Sequence, residues 1–248
     1  MLKTSAKFCI LFYTITMKEI FIKAFDSVNI TSTDEQLDKM LAFYDILTDY
    51  NQKINLTRIV SEEDSAYKHF ADSVVGSTFI TENAKVCDIG SGGGFPAIPL
   101  AIMSRANFTL VDATMKKVNY LNYAIERLGL KNAVAIQSRA EDLGTSEKRE
   151  SFDVVTARAV ASLPTLLEYC LPLVKVGGIF IAYKTTDVEE LASSQKALKT
   201  LGGKVEKLIP YSLGEFGADR ELIVVKKIAP TPKNYPRGQN KPRIKPIG

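Results

Sequence analysis

Glycines and one acidic residue lie together in the stretch Val86-Cys87-Asp88-Ile89-Gly90-Ser91-Gly92-Gly93-Gly94-Phe95. A buried strand that ends in such a loop lets the backbone approach a ligand, because glycine has no Cβ atom and adopts positive φ. The dinucleotide pattern G-x-G-x-x-G would need a third glycine at position 95, where this chain has Phe95. Asp88 suits an ammonium group and would repel a pyrophosphate. The alternative is a purely structural turn.

Acidic residues also follow the next two predicted strands. Asp112 closes the strand Phe108–Val111, where a carboxylate accepts hydrogen bonds from both hydroxyls of a ribose. An ordinary helix N-cap is the alternative for Asp112. The third strand ends in Ser138-Arg139-Ala140-Glu141-Asp142, which suits the edge of an adenine, although such acids also simply favour the first turn of a helix.

A basic residue follows the fourth predicted strand. Phe152–Thr156 runs into Ala157-Arg158-Ala159, and we expect Arg158 to point into a cavity beside the glycine loop. A guanidinium there clamps a carboxylate, a phosphate or a guanine edge. The alternative is a surface salt bridge.

These residues need a parallel sheet to bring them together, because ligands of open α/β sheets collect at the carboxyl ends of the strands. From residue 85, strand-like and helix-like segments alternate, which predicts a doubly wound α/β fold. The predicted strands are 85–89, 108–111, 133–137, 152–156, 178–183, 204–210 and 221–227, the last two forming an antiparallel hairpin. The predicted helices are 95–104, 114–128, 139–143, 162–174 and 187–200.

Two helices are predicted before the sheet. Thr33-Asp34-Glu35-Gln36 is a capping box before a helix that reaches about Tyr50, and a second helix covers 65–79. We therefore divide the chain into an N-terminal helical region, 17–80, a sheet domain, 81–228, and a tail, 229–248. Residues 1–16 are interpreted as an over-extended gene start or a disordered segment, since their apolar stretch lacks a cleavage site and is too short to span a bilayer.

The net charge of +4 is concentrated in the tail. From Lys226 to Gly248 there are seven basic residues, no acidic residue and five prolines, which exclude a long helix or a central strand. A basic, extended arm with Lys233 and Arg237 suits nucleic-acid phosphates. A solvated, disordered tail is the alternative.

Metal and disulfide chemistry find little support in the composition. The three cysteines are far apart and lack CxxC spacing, and His69 is the only histidine. We expect no metal site, a reducing compartment and core positions for Cys87 and Cys170. His69 is a candidate RNA contact, with a structural hydrogen-bonding role as the equal alternative.

The acid-x-G-x-G-x-G form of the glycine loop resembles motif I of class I S-adenosylmethionine-dependent methyltransferases. From about residue 40 the chain resembles the glucose-inhibited-division-B family (GidB, or RsmG), the small-subunit ribosomal RNA guanine-N7 methyltransferases. The strings that carry this resemblance are 50–57 (YNQKINLT), 69–73 (HFADS), 88–102 (DIGSGGGFPAIPLAI), 138–141 (SRAE), 156–159 (TARA) and 231–237 (TPKNYPR). The family usually has alanine at position 93 and glycine at position 97, where this chain has Gly93 and Ala97.

The resemblance implies a seven-stranded methyltransferase fold and a bound S-adenosylmethionine. It implies that Gly90, Phe95, Ala140, Glu141 and Arg158 contact this cofactor, and that Arg139 contacts RNA. Together with the residues above, the expected cofactor set is Asp88, Gly90, Gly92, Gly94, Phe95, Asp112, Ala140, Glu141 and Arg158.

Methylation of a guanine in a loop of 16S ribosomal RNA is the activity that the resemblance implies. Guanine N7 carries a lone pair and no proton, so in-line attack needs no general base, and the chain has no Asn-Pro-Pro-Tyr string of amino-methylating enzymes. Arg158 is the expected catalytic residue. We expect a cytoplasmic monomer that acts on 16S RNA or on an assembling small ribosomal subunit, with no membrane partner. A small-molecule methyltransferase and a non-catalytic, cofactor-sensing assembly protein are the alternatives.

Overall fold

A seven-stranded sheet forms the centre of the molecule. The computed structural model describes the backbone of residues 2–248 and the side chains of residues 13–248. The strands are β1 (Lys85–Ile89), β2 (Asn107–Asp112), β3 (Ala133–Gln137), β4 (Phe152–Arg158), β5 (Val174–Thr185), β6 (Gly203–Tyr211) and β7 (Arg220–Lys227). Their order is β3-β2-β1-β4-β5-β7-β6, and β7 runs antiparallel to both of its neighbours, β5 and β6. The predicted doubly wound sheet and its closing hairpin are confirmed.

Parallel pairing places the ends of β1, β2, β3 and β4 at one edge of the sheet. Ile89 of β1 is in register with Val111 of β2 and with Ala157 of β4. Since a parallel strand needs a crossover to reach its neighbour, each of these ends leads directly into a loop or a helix at that edge. Asp88, Asp112 and Arg158 are therefore brought together, as the alternation of elements predicts.

Helices cover both faces of the sheet. One face packs against α5 (Ala97–Met103) and α6 (Met115–Arg127), and the other packs against α8 (Leu163–Cys170) and α10 (Gln195–Leu201). The short helices α7 (Ala140–Leu143), α9 (Val188–Ser193) and α11 (Lys241–Ile244) complete the domain. Two separate clusters of buried apolar residues fill the two faces, as expected for a sheet that is buried on both sides.

The N-terminal helices join the first of these two clusters. They are α1 (Leu2–Asp26), α2 (Asp34–Asn51), α3 (Glu62–Ser65) and α4 (Asp72–Val74), with a π-helical segment from Ala66 to Ala71 and a 3₁₀ segment from Val75 to Phe79. The capping box is confirmed: the Thr33 hydroxyl oxygen accepts from the Gln36 backbone N–H, and the Gln36 side-chain oxygen accepts from the Thr33 backbone N–H. In α1, Met17, Phe21, Ala24 and Phe25 are buried at helical spacing.

The interpretation of residues 1–16 as an over-extended gene start or a disordered segment stays a prediction. The structure continues α1 back to Leu2, and the side chains of residues 1–12 lie outside the described part. Within the described residues, no helix combines the length and the apolar character that crossing a bilayer demands.

Among the helices predicted in the sheet domain, two differ from the structure by more than two residues at one end or are interrupted. The helix predicted over 162–174 ends at Cys170, because Pro172 lacks the N–H that would continue it. The helix predicted over 187–200 is divided at Ser194, whose hydroxyl donates to the Glu190 carbonyl oxygen. Such a bond competes with the helical ladder.

The tail is not the free arm that its composition suggests. Arg149 donates to the carbonyl oxygens of Thr231 and Tyr235 at 2.8 and 2.7 Å, and Ile247 is buried in the second apolar cluster. The only helix after residue 228 is the four-residue α11, as the prolines predict. Charge counting could not reveal the docking, because the anchoring groups lie far away in sequence.

Candidate functional site at the carboxyl edge of the sheet

The glycine loop after β1 has the backbone conformation that its composition predicts. Gly90, Gly92 and Gly94 have φ of 75°, 54° and 94°. A Cβ atom at Gly94 would lie 2.7 Å from Ile98 Cδ1 and 2.9 Å from Phe43 Cζ, so the loop passes tightly against the helices. Glycine is the residue that tolerates both the positive φ and this approach.

Asp112 ties this loop to the end of β2. Its Oδ2 accepts from the Gly92 backbone N–H at 3.1 Å, and its Oδ1 accepts from the Thr114 N–H at 2.8 Å. Thr114, rather than Asp112, is the N-cap of α6. The simple N-cap alternative is therefore wrong, although Asp112 does bond the backbone next to the helix.

Asp88 is buried beneath the loop, and only one of its two carboxylate oxygens has a hydrogen-bond partner among the described residues. Its Oδ1 accepts from the Thr156 hydroxyl at 2.7 Å, while Oδ2, within the described residues, has no hydrogen-bond partner. Burial raises the pKa of Asp88 to about 6. A buried carboxylate with a free oxygen fits a positively charged group nearby, although Asp88 itself does not line a cavity.

A cleft of about 150 Å³ opens where β1, β2 and β3 end. We call it the β1–β3 cleft; its lining includes Gly90, Asp112, Arg139, Ala140, Glu141, Tyr169, Asn240 and Arg243. Glu141 is buried, and Arg139 is exposed at the rim. The structure therefore brings four predicted cofactor residues, Gly90, Asp112, Ala140 and Glu141, to one cleft. It also adds two residues of the tail that the sequence did not suggest.

Arg158 belongs to a buried cluster around Asp72. The carboxylate of Asp72 is fully buried; it accepts from Arg158 Nη1 at 2.6 Å, from Arg220 Nε at 3.0 Å and from the Tyr211 hydroxyl at 2.7 Å. Four elements of the chain thus meet at one carboxylate. The surface salt bridge considered for Arg158 is wrong, since its side chain is only 10% exposed and its partner is buried.

His69 is held between Arg158 and Thr57. Arg158 Nη2 lies 3.3 Å from Nδ1, and Thr57 Oγ1 lies 2.7 Å from Nε2. Burial, Arg158 and Arg220 lower the pKa of His69 to about 3, so the ring is neutral, and a guanidinium at Nδ1 assigns the proton to Nε2. The ring stacks on Phe95 with centroids 4.5 Å apart. The structural alternative for His69 is well supported by these contacts.

A second cavity, of about 460 Å³, lies beside the first at the ends of β4, β5 and β7. We call it the β4–β7 cavity; its lining includes His69, Arg158, Tyr183, Lys184, Phe216 and Arg220. Arg158 lines this cavity and not the β1–β3 cleft, so its predicted contact with the cofactor stays a prediction. Phe95 packs against both His69 and Arg158, and the guanidinium carbon of Arg158 lies 5.2 Å from its ring centroid.

The residues predicted to bind RNA are not all alike in the structure. Arg139 and Lys233 are exposed. Arg237 instead donates to both oxygens of Glu168, which is fully buried, at 2.9 and 2.6 Å. The charge of Arg237 is therefore matched inside the protein, and its RNA contact, like that of His69, stays a prediction.

Comparison with known proteins bears on this arrangement. Residues 36–222, more than half of the chain, match the family of rRNA small subunit methyltransferase G. The relative from Acetivibrio thermocellus is 43% identical over 234 residues, which cover 93% of this chain and 97% of the relative. The relative from Lactobacillus acidophilus is 45% identical over 237 residues, covering 92% and 98%. Both are named ribosomal RNA small subunit methyltransferase G. This chain belongs to the rRNA small subunit methyltransferase G family.

Solved structures confirm the fold of this family member. NSun6 from Pyrococcus horikoshii, solved with SFG, aligns with a TM-score of 0.54 at 15% identity, covering 64% of this chain and 52% of that one. The tRNA methyltransferase TrmK from Bacillus subtilis aligns with a TM-score of 0.51 at 14% identity, covering 64% and 66%. The fold is that of class I S-adenosylmethionine-dependent methyltransferases, and S-adenosylmethionine is the cofactor of this methyltransferase family.

Several residues of the site escaped sequence reasoning. Asp72 binds Arg158, and Tyr211 and Arg220 bind the same carboxylate; no spacing rule connects positions so far apart. A signal was nevertheless present for Asp72, because an acid inside an apolar helical segment is rarely buried without a partner. Arg220 at the first position of a strand carries no comparable signal.

The cysteine prediction is confirmed for the two cysteines whose side chains the structure describes. Cys87 and Cys170 are fully buried, and burial raises the pKa of both thiols. Neither is therefore a reactive thiolate. Among the side chains of residues 13–248, no three His, Cys, Asp or Glu residues converge as a metal site would require.

Proposed function

We propose that this chain transfers a methyl group from S-adenosylmethionine to N7 of a guanine in 16S ribosomal RNA, in the bacterial cytoplasm. Membership of the rRNA small subunit methyltransferase G family supports the reaction class and the RNA substrate. The choice of N7 rests on one observation: the β4–β7 cavity offers basic side chains and no free proton acceptor.

The β1–β3 cleft supports the cofactor assignment. Asp112 offers the ribose hydroxyls a carboxylate fixed by two backbone N–H groups, and Glu141 lies at the adenine end. Gly90, Gly92 and Gly94 let the backbone approach the methionine part, where the unpartnered Oδ2 of Asp88 supplies negative charge. When bound, S-adenosylmethionine supplies a methyl group on a positively charged sulfur.

None of the described side chains that line the β4–β7 cavity is suited to remove a proton. The only imidazole, His69, already accepts from Arg158 through Nδ1 and is poorly basic. Asp72 is occupied by two arginines and Tyr211, and Glu190 accepts from Lys184 at 2.8 Å. Enzymes that methylate an amino group must accept its proton, whereas guanine N7 presents only a lone pair.

The basic lining also suits the edge of guanine that carries O6 and N7, since both atoms accept hydrogen bonds. Arg158 donates to Asp72 and to the carbonyl oxygen of Lys68, at 2.6 and 3.1 Å, which fixes the plane of its guanidinium. Its Nε–H has no partner among the described residues and is available to guanine O6. Arg158 therefore orients the base so that N7 faces the methyl group in line with the sulfur.

The RNA outside the cavity is expected to contact exposed basic residues. Arg139 at the rim of the β1–β3 cleft and Lys233 in the tail are the strongest candidates, because their charges are free to meet phosphates. His69 and Arg237 are weaker candidates, since both are held by hydrogen bonds inside the protein.

The experiment uses tritiated S-adenosylmethionine and 16S RNA from a bacterial strain that lacks its own enzyme of this family. The RNA is tested both naked and as small subunits. We expect incorporation at one guanine, mapped by aniline cleavage and primer extension. The matched control is RNA transcribed with 7-deazaguanosine, which replaces N7 by a carbon, and it is expected to stay unlabelled. Equal labelling of both RNAs would contradict N7, and no labelling of either would contradict rRNA methylation.

A further inference from the structure

The C-terminal tail is anchored to the methyltransferase domain at three points. The first is Arg149, whose guanidinium donates to the carbonyl oxygens of Thr231, Pro232 and Tyr235 at 2.8, 3.2 and 2.7 Å. A fourth bond, to the Gly144 carbonyl oxygen at 2.8 Å, fixes the guanidinium to the domain. Three carbonyl oxygens of the tail are therefore bound to the domain through one guanidinium.

The second point is a buried lysine. Lys227 Nζ lies 3.1 Å from Glu150, donates to the Leu171 carbonyl oxygen at 2.6 Å and bonds the Thr231 hydroxyl. Glu150 also accepts from the Thr231 N–H at 2.7 Å. A buried ammonium group needs such a complete set of partners, so the turn after β7 has one preferred path.

The third point is the pair of Arg237 with the fully buried Glu168 on α8. Beyond it, the Thr165 hydroxyl donates to the Pro242 carbonyl oxygen at 3.0 Å, and the Tyr169 hydroxyl lies 3.4 Å from Asn240 Oδ1. All these partners lie along α8, which leads to the β1–β3 cleft. The tail is thus directed to the cleft and reaches its lining with Asn240 and Arg243.

We propose that Asn240 and Arg243 bind the cofactor, so that the end of the tail closes the β1–β3 cleft over the adenosine part of S-adenosylmethionine. The proposal rests on the cofactor site described under the proposed function. It gives the end of the basic, proline-rich tail a role in cofactor binding, in addition to the RNA contact proposed for Lys233.

The chemistry of the two side chains fits an adenosine. The guanidinium of Arg243 is planar and has no hydrogen bond or ion pair within the described part of the chain, so it is free to stack on a purine face. Asn240 Oδ1 accepts a hydrogen bond from the Tyr169 hydroxyl, so the amide N–H groups of Asn240 can donate to ring nitrogens or ribose oxygens. An RNA phosphate is a poor occupant of the interior of the cleft, because the carboxylates of Asp112 and Glu141 line it, whereas Arg139 is exposed at the rim.

The test is calorimetric titration of S-adenosylhomocysteine into the full chain and its variants. Arg243→Ala is expected to weaken binding about tenfold, which corresponds to about 1.4 kcal/mol. Asn240 has φ of 57°, so Asn240→Gly removes the side chain without straining the backbone, and we expect a loss of about threefold in affinity.

Two control variants match these changes in the same segment. Lys245→Ala removes an exposed positive charge outside the cleft, and Gln239→Gly changes the neighbouring residue with φ of 60°. Both are expected to bind as the unaltered chain does, with unchanged unfolding midpoints. RNA binding is measured in parallel at several salt concentrations, and the slope is expected to be the same for Arg243→Ala.

Unaltered affinity of Arg243→Ala and Asn240→Gly for S-adenosylhomocysteine would overturn the proposal, as would a loss of RNA affinity in Arg243→Ala without a loss of cofactor affinity. If the unaltered chain itself shows no binding, the cofactor site fails first and the tail assignment fails with it. The two failures are therefore distinguishable.

Discussion

The β1–β3 cleft and the β4–β7 cavity lie side by side at one edge of the sheet, but they are built in different ways. The core of the cleft comes from one continuous part of the chain, the glycine loop and the two strands after it, and backbone N–H groups fix its carboxylate. Two residues that line the cavity, Arg158 and Arg220, come from distant segments and are held by the buried carboxylate of Asp72, which also binds Tyr211. A site of the first kind follows a local pattern, whereas one of the second kind depends on the whole fold.

The largest expected effect comes from Arg158→Ala in the β4–β7 cavity. Methylation of 16S RNA is expected to fall by about 10²-fold in kcat/KM, since the hydrogen-bond donor that orients the reacting base is lost. The fold is expected to persist, because Asp72 keeps Arg220 and Tyr211 as partners. Arg105→Ala, which removes an exposed arginine at the other edge of the sheet, is the control and should leave the rate unchanged. Activity of Arg158→Ala within threefold of the unaltered chain would remove Arg158 from the reaction.

Asp72→Asn tests whether buried charge holds the cavity together. The substitution leaves two arginines around a neutral side chain, and breaking a buried ion pair costs about 3 kcal/mol in the free energy of unfolding. Urea unfolding measures this loss. Asp64→Asn breaks a partly exposed ion pair with Lys68 on a neighbouring helical turn, and its unfolding midpoint should not change measurably. Equal stability of the two variants would mean that the cluster around Asp72 contributes nothing to the fold.

A pH titration addresses the cleft instead. The pKa of Asp88 is raised to about 6, so its negative charge is present above pH 6 and is lost below it. Affinity for S-adenosylhomocysteine is expected to fall roughly tenfold per pH unit below pH 6. Because the pKa of Asp88 is higher in the folded state than in the unfolded chain, the folded state binds this proton more tightly. Protonation of Asp88 as the pH falls therefore does not destabilise the fold. Asp88→Asn is expected to bind weakly at every pH, and a pH-independent affinity of the unaltered chain would exclude Asp88.

The same contrast explains how much the sequence could predict. β1 and β3 have the predicted bounds, 85–89 and 133–137, because each is a short apolar run between strong turn signals. The glycine loop and Asp112 were found because a strand end next to a helix start positions its residues locally. β5 begins earlier than predicted, at Val174, because its first residues include Gly177 and Gly178 and lack an apolar pattern.

The rest required the three-dimensional structure. Nothing in the sequence pairs Arg237 with Glu168, or Arg149 with the backbone of the tail, since these contacts join segments more than sixty residues apart. Composition described the tail correctly as basic and rich in proline but could not say that its charges have internal partners. The π-helical segment from Ala66 to Ala71 likewise has no periodicity that separates it from an α-helix.

The most direct measurement is calorimetry of S-adenosylhomocysteine binding to three proteins: the unaltered chain, Asp112→Asn and Asp142→Asn. Asp112 lines the β1–β3 cleft, whereas Asp142 is its exposed, matched control. We expect one saturable site in the unaltered chain, at least tenfold weaker binding in Asp112→Asn because its hydrogen bonds to ribose lose their charged acceptor, and no change in Asp142→Asn. No heat from the unaltered, folded chain, or equal affinity of Asp112→Asn, would contradict the placement of the methyl donor in this cleft.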